Sequence, residues 1–368
     1  MKLKQHSLAF AATAFCLLSQ SALAQDGVPE FKFSGFGTLG LVSTDNDNAQ
    51  FRTGLRQDRG AQKSADFGVD SRLGLQLNAK FSSMFSGVAQ VVTSHVDGAD
   101  RPRVEWLYGQ AAVAPWLDVR LGRMVMPAFM VSDSLNVGYA MHWVRPPTEV
   151  YGQYPISSFD GGQLAFHTQW GNTNVSAQVS TGQAEGHMYT YGLDYKLSSS
   201  SLVALNLQLE NGSWLFRVGQ VQAPDTELAN PFRPTKFDDV FTGVGLQYDN
   251  GDLLVMSEYV TRRSDKGAAS NGRLDTDSVY VSAGYRFGAW MPYVALSQFK
   301  ANNPAGYLLT SNTRRTSAIG VRWDVYKSVA LKAQYESAQP SMQFVNAKPS
   351  LAALPTVNAL SLTVDFVF

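Results

Sequence analysis

The sequence predicts an all-β fold, a transmembrane antiparallel β-barrel, and three observations lead to this prediction. Several long segments alternate polar and apolar residues, tight and long connections alternate along the chain, and the one sustained apolar run lies at the N-terminus. Strands that cross a bilayer and return through short turns on one side produce such a pattern.

The N-terminal segment has the features of an export signal. A short basic start precedes a mostly apolar run over 7–18, and Ala22-Leu23-Ala24 supplies the small-residue pattern of a cleavage site. The apolar run is shorter than the roughly 20 residues that a membrane-spanning helix needs. We therefore expect a signal peptide over 1–24 and a barrel domain over 25–368.

Composition excludes several classes of function. The chain has 30 basic and 30 acidic residues, so a nucleic-acid partner, which would call for a basic surface, is not expected. The one cysteine lies within the signal segment, so disulfide chemistry is not expected either. The five histidines lack the close spacing of metal ligands, and no hydrolase or nucleotide-binding motif occurs. We expect no metal, no cofactor and no enzyme activity.

The alternating segments have the length of membrane strands. In the first of them Arg72, Gly74 and Gln76 alternate with leucines. These runs extend over roughly ten residues, as a tilted membrane strand requires, whereas strands of soluble proteins cluster near about 5–6. Aromatic residues end several apolar faces, as expected at a water–lipid boundary. The clearest segments are 70–81, 275–287, 314–325 and 360–368.

Turn signals set the number of strands. Asn211-Gly212 and Asn250-Gly251 favour tight hairpins, and all tight turns should lie on the periplasmic side. This parity holds along the whole chain with 16 strands if Met188–Leu197 is part of an external loop. Sixteen strands enclose a water-filled interior, whereas about eight enclose only packed side chains. The long connections are expected near 46–67, 125–160, 182–200, 223–237, 264–274, 301–313 and 339–357.

At this point the chain resembles the general porins of Gram-negative bacteria over essentially its whole mature length. The resemblance rests on Phe33-Ser34-Gly35-Phe36-Gly37, Ser71-Arg72-Leu73-Gly74, Arg120-Leu121-Gly122-Arg123 and the terminal Phe368. It implies an outer-membrane channel for passive diffusion of small hydrophilic solutes and ions. It also implies a homotrimer, contact with outer-membrane lipid and lipopolysaccharide, and recognition of Phe368 by the barrel-assembly machinery.

In that family the third external loop folds into the barrel, where its acidic residues face basic residues of the wall. The corresponding connection here is 125–160, the longest in the chain. The resemblance thus places its acids, Asp133, Glu149 and Asp160, at a pore constriction. Inward strand parity supplies the candidate basic side, which consists of Arg72, Arg103, Arg120, Arg322 and Lys332. Facing charges in a narrow pore would discriminate among solutes because water screens them poorly there.

Three alternatives use other features of the chain. A substrate-selective channel for small organic anions would exploit Arg101-Pro102-Arg103, Arg120 and Arg123. A barrel phospholipase would need His142 or His167 beside a serine on the outer face, in a barrel of about 12 strands. An adhesion or binding module would use the long external loops and a plugged lumen.

Overall fold

The computed structural model describes residues 29–190, 193–229, 235–264, 275–302, 313–339, 345–347 and 356–368. The strands are β1 Glu30–Thr44, β2 Ala49–Phe51, β3 Arg72–Lys80, β4 Phe85–Val96, β5 Ala99–Ala114, β6 Leu117–Val125, β7 Ser158–Trp170, β8 Thr173–Thr190, β9 Leu193–Asn211, β10 Trp214–Ala229, β11 Thr235–Asp249, β12 Leu253–Ser264, β13 Thr276–Tyr285, β14 Trp290–Ala301, β15 Thr313–Tyr326, β16 Val329–Ala338, β17 Val345–Ala347 and β18 Val357–Val367. One short helix, α1 Thr148–Tyr151, and two 3-10 turns, Ser132–Ser134 and Gly138–Ala140, complete the described elements. In these ranges no helix has the length and apolarity that spanning a membrane requires. The signal segment predicted over 1–24 lies outside the described residues.

Sixteen of the strands close into one antiparallel barrel, which confirms the predicted count. Each barrel strand pairs with its neighbours in chain order, and β1 closes the circle by pairing with β18. At this seam the Phe368 and Gly35 backbones exchange two hydrogen bonds of 2.9 Å. The remaining strands, β2 and β17, pair with each other outside the barrel.

The two faces of each strand carry different side chains, because successive residues point to opposite sides of the sheet. On β6 the outward Leu121 is 66% exposed, and on β14 the outward Leu296 is 56% exposed. Apolar side chains left uncovered around a closed barrel fit a lipid surrounding. Aromatic side chains gather near the tight turns, as in the stacked Trp290–Trp323 pair, whose ring centroids are 4.7 Å apart. This belt includes Phe81, Phe85, Trp116, Trp170, Trp214, Tyr285, Phe287, Trp290, Trp323 and Tyr326.

The segment Met188–Leu197 differs from its prediction in one respect. It belongs to a single outer connection, as the parity required, but it is the top of the β8–β9 hairpin, whose pairing continues to Thr190 and Leu193. The alternation of polar and apolar residues along β8 and β9 therefore extends beyond the strand length needed to cross a bilayer. Its inward residues Met188, Tyr195 and Leu197 pack on Leu55, which explains why a strand pattern continues there.

The first loop (residues 45–71) folds over the mouth of the barrel. The Leu55 amide donates to the Gly152 carbonyl at 3.0 Å, and the Leu55 carbonyl accepts from the Tyr189 amide at 2.7 Å. Arg52 is buried and donates to the Tyr189 carbonyl at 2.7 Å. The first loop thus joins the third external connection to the tip of the β8–β9 hairpin.

The inner loop (residues 126–157) connects β6 to β7 and contains α1 and both 3-10 turns. Its residues contact inward-facing side chains of strands on the far side of the barrel, for example Tyr151 against Tyr280 and Phe129 against Phe241. The main buried apolar cluster of the molecule consists of this loop and the wall behind it. The predicted folding of the third external loop into the lumen is confirmed in these contacts.

Three glycines lie side by side on β6, β7 and β8. Gly122 is directly opposite Gly161, and Gly161 is directly opposite Gly182. Gly122 has φ +131°, and a Cβ there would lie 2.2 Å from the Leu107 carbonyl oxygen. A Cβ on Gly161 would lie 2.0 Å from the Thr181 carbonyl oxygen. The close approach of neighbouring backbone therefore leaves room only for glycine in this row.

Candidate pore constriction

Most charged residues of the inner loop are fixed to the wall. Arg145 is buried and forms an ion pair with Asp70, and a second with Glu336 at 2.5 Å. Its Nη2 also donates to Ser361 Oγ at 2.6 Å. A buried cation between two buried acids fastens the loop to β16 and β18, because separating these groups would leave charges without water or partner.

Glu149 was predicted to line the constriction, and the structure corrects this. Its carboxylate is fully buried and accepts from Arg314 Nε at 2.5 Å, Ser297 Oγ at 2.5 Å and Thr316 Oγ1 at 2.6 Å. Glu149 lies on α1, which packs against β14 and β15, so its charge faces the wall and not the lumen. It serves as an anchor of the inner loop.

Lys332 and Arg322 were predicted on the basic side of the constriction, and both instead hold the loop backbone. Lys332 is buried, and its Nζ donates to the carbonyls of Gly138 at 2.7 Å and Trp143 at 2.8 Å and pairs with Asp365 at 3.0 Å. Arg322 Nη1 donates to two inner-loop carbonyls, at 2.6 and 2.7 Å, and Nη2 pairs with Asp324 at 2.7 Å. Strand parity correctly predicted that Lys332 and Arg322 face the interior of the barrel, but the inner loop covers the wall at both positions.

Asp160 and Arg103 also differ from their predicted places. Asp160 lies on β7, not on the loop, and forms an ion pair of 2.6 Å with Arg123 on the neighbouring strand. Because Gln163 faces inward, strand parity turns Asp160 outward. Arg103 faces the mouth of the barrel, where it donates to Ser94 Oγ at 3.0 Å and lies 3.5 Å from the Glu105 carboxylate.

Two anchors escaped the sequence analysis. Arg217 on β10 donates to the carbonyls of Pro127 at 2.5 Å and Ala128 at 3.2 Å, and Glu258 on β12 accepts from Tyr151 Oη at 2.7 Å. Their inward parity was visible in the sequence. Their partners lie 89 to 107 residues away along the chain, so no local pattern could identify them.

The other side of the inner loop faces β3 to β7, and two arginines of these strands, Arg72 and Arg120, are directed at it. Arg120 lies on β6 with its guanidinium 5.7 Å from the Tyr108 ring centroid, and its charge acts on the exposed carboxylate of Asp133. Arg72 donates to the Leu135 carbonyl of the loop at 3.1 Å. Among the described residues neither Arg72 nor Arg120 forms an ion pair with a carboxylate. Arg120 thus lies near Asp133 at a gap between the wall and the inner loop, and Arg72 contacts the same loop two residues further on, at Leu135.

Solvent space lies on both sides of the inner loop. On the side of the first loop, a cavity of about 190 Å³ is lined by Arg72, Arg103 and Asn136, among others. On the side of the tight turns, a cavity of about 500 Å³ is lined by Gln208, Gln247 and the Arg286–Asp249 pair. Polar-lined cavities on both sides of the inner loop are the arrangement that a diffusion pore requires.

A histidine–serine contact inside the barrel does not support the phospholipase alternative. His142 Nε2 lies 2.7 Å from Ser282 Oγ, which also accepts from Trp143 Nε1 at 2.9 Å. Burial, with the nearby positive charges of Lys332 and Arg322, lowers the pKa of His142 to about 3, so the ring is neutral. Both side chains are buried behind the inner loop, away from the lipid-facing surface.

Comparison with known families agrees with this geometry. Residues 11–350 match the family model described as Gram-negative porin. The chain belongs to the Gram-negative porin family. This porin is therefore a protein of the outer membrane and a channel for small solutes. No curated protein sequence matches it.

Solved structures of other outer-membrane proteins share the barrel of this porin. The anion-selective porin from Comamonas acidovorans has a TM-score of 0.60 at 12% identity, covering 93% of this chain and 100% of that one. Salmonella typhi OmpF, solved with daunomycin, has a TM-score of 0.57 at 11% identity, covering 92% and 97%. DcaP, an outer-membrane channel of Acinetobacter baumannii, has a TM-score of 0.57 at 12% identity, covering 94% and 99%. At these identities the likeness concerns the fold.

Proposed function

We propose that this porin is a general diffusion channel that conducts small anions in preference to small cations. The observation that carries the proposal is the charge left over at the gap: Arg72 and Arg120 on the wall against Asp133 on the inner loop. Glu149 and Asp160, which would have opposed the arginines, are bound to Arg314 and Arg123.

The physical reason is that the pore is narrow and its walls have a low dielectric constant. A charge on such a wall acts on a passing ion with little screening, and an excess of one sign lowers the barrier for the opposite sign. The Comamonas porin is described as anion-selective, but the present proposal stands on the residues of this chain. A substrate-selective channel for small organic anions remains the second candidate, because Arg72 and Arg103 line one cavity.

Changing Arg120 to glutamine should shift the reversal potential of the purified porin toward cation selectivity in a planar-bilayer salt gradient. The substitution removes one of two free cations at the gap, whereas Asp133→Asn should shift the potential in the opposite direction. Arg315→Gln, at an exposed position of β15 where the side chain donates to Gln298, is the matched control and should change nothing. Equal potentials for wild type and Arg120→Gln would refute the proposal. Saturation of the current by a small carboxylate salt would favour the substrate-selective alternative.

The proposal includes a homotrimer whose barrels sit in outer-membrane lipid and lipopolysaccharide. One structure of Vibrio cholerae OmpT, with a TM-score of 0.57 at 12% identity, is described as a trimer form, and the porin family supports the same assembly. Light scattering of the detergent-purified porin should give a protein mass of three chains. The mass of one chain at every protein concentration, measured in a detergent that does not dissociate porins, would contradict the trimer.

The terminal Phe368 is proposed as the residue that the barrel-assembly machinery recognises. Its side chain is 65% exposed at the barrel seam, on the lipid-facing side of the tight-turn end. No catalysis is part of the proposed function, since permeation through this gap requires no covalent step.

A further inference from the structure

Arg120 is held by two neutral side chains, one from each neighbouring strand. Its Nε donates to Gln110 Oε1 at 2.9 Å, and its Nη1 donates to Gln163 Oε1 at 3.0 Å. Gln110 on β5 and Gln163 on β7 both lie directly opposite Arg120 in the strand register. The three side chains thus form a row across the inner wall.

The row continues onto a fourth strand. Gln163 Nε2 donates to Ser180 Oγ at 3.0 Å, and Ser180 on β8 lies directly opposite Gln163. Gln163 and Ser180 are both buried. The amide of Gln163 is therefore fixed in orientation, since its nitrogen is bound to the serine and its oxygen must face the arginine.

Three other inward-facing bases of the described wall are held by acids. Arg314 pairs with Glu149, Lys332 with Asp365, and Arg286 with Asp249. A carboxylate binds a base firmly, but its negative charge offsets the positive charge that a passing ion experiences. An amide oxygen also binds the base and leaves that positive charge intact. Arg120 Nη2 makes no hydrogen bond with the described residues, so it is available to a passing anion.

We infer that Gln110 and Gln163 are positioning residues that keep Arg120 at the constriction as a cation without a hydrogen-bonded carboxylate, and that this neutral clamp determines the anion preference. The inference rests on the proposed anion preference. The clamp fixes the guanidinium over the Tyr108 ring, where a free arginine would sample many rotamers. The selectivity of the channel then depends on the neutrality of two amides as much as on the arginine.

Changing Gln163 to glutamate tests this directly, because it exchanges one nitrogen for an oxygen at constant shape. The new carboxylate should pair with Arg120 and shift the reversal potential toward cations by about as much as Arg120→Gln does. Gln110→Glu, on the other side of Arg120, should act in the same direction and serves if the first variant assembles poorly. Gln163→Leu, which adds no charge, should keep the sign of the preference but weaken it.

Gln178→Glu is the matched control. Gln178 is an inward amide on β8 that accepts from Asn206 at 3.4 Å, so the same charge enters the lumen without touching Arg120. Its shift should be clearly smaller than that of Gln163→Glu. Equal shifts would overturn the clamp, because added charge alone would then explain the effect. A shift in Arg120→Gln with none in Gln163→Glu and Gln110→Glu would overturn the clamp and leave the proposed function intact, whereas no shift in Arg120→Gln would overturn both.

Discussion

Replacing Gly122 with alanine is expected to prevent most of the protein from reaching the folded barrel. The new Cβ would lie 2.2 Å from the Leu107 carbonyl oxygen and 2.9 Å from the Tyr108 Cα, both of which belong to the paired strand β5. Backbone atoms of a closed sheet cannot move aside as a side chain can, and φ +131° adds strain of about 1–3 kcal/mol. Refolding into detergent, followed by the mobility difference between heated and unheated samples on a gel, measures the folded fraction.

Gly109→Ala is the control for this prediction. Gly109 lies on β5 beside Leu121, and a Cβ there would meet no atom within 4 Å. This variant should fold as well as the wild type, because a chain with alanine at this position loses less conformational entropy on folding than one with glycine. If Gly122→Ala folded to the same extent as Gly109→Ala, the close strand approach at this row would not require glycine.

Replacing Arg145 with methionine is expected to release the inner loop and to destabilise the barrel. Asp70 and Glu336 would remain buried without their counter-ion, at 2% exposure each. Removing one partner of a buried ion pair costs about 3–5 kcal/mol. The released loop should leave a wider pore, so single-channel conductance should rise and become noisier. Conductance and the denaturant midpoint in detergent are the two measurements.

Arg263→Met is the matched control, since Arg263 pairs with Asp277 at 2.6 Å but is 45% exposed. An exposed pair contributes at most about 1 kcal/mol, so stability and conductance should both stay close to those of the wild type. Unchanged conductance in Arg145→Met would show that the other anchors of the inner loop suffice without the Arg145 pairs.

The strands could be predicted because the alternation of polar and apolar residues in each strand reflects the lipid on one face and the interior on the other. Leu121 and Leu296 face lipid, their neighbours face the interior, and the period of two is visible without any tertiary contact. Turn signals such as Asn211-Gly212 then gave the parity and the count of 16, which the structure confirms. The segment Met188–Leu197 lies in an outer connection as predicted, and it continues the strand pattern because the hairpin is covered by the loop that carries Leu55.

The constriction could be predicted only in part. A side chain that faces the interior of this barrel either lines the open passage or is covered by the inner loop, and strand parity does not distinguish the two. Arg120 and Lys332 are indistinguishable in their local sequence pattern, yet Arg120 faces the gap and Lys332 is buried under the inner loop. The difference arises from contacts such as that of Lys332 with Trp143, which lies 189 residues away. Such contacts are long-range packing, and single-sequence patterns carry no record of them.

The inner loop divides the barrel wall into two arcs with different roles. The salt bridges of Arg145 and Glu149 and the hydrogen bonds of Lys332 and Arg217 bind it to the wall formed by β10 to β18, whereas β5 to β8 face it across Arg120 and its two glutamines. Substitutions of the anchors on the first arc threaten the architecture, while exchanges of the polar side chains around Arg120 on the second are expected to change what the passage favours. The permeant preference can therefore change through polar exchanges around Arg120 while the anchors that hold the inner loop stay intact.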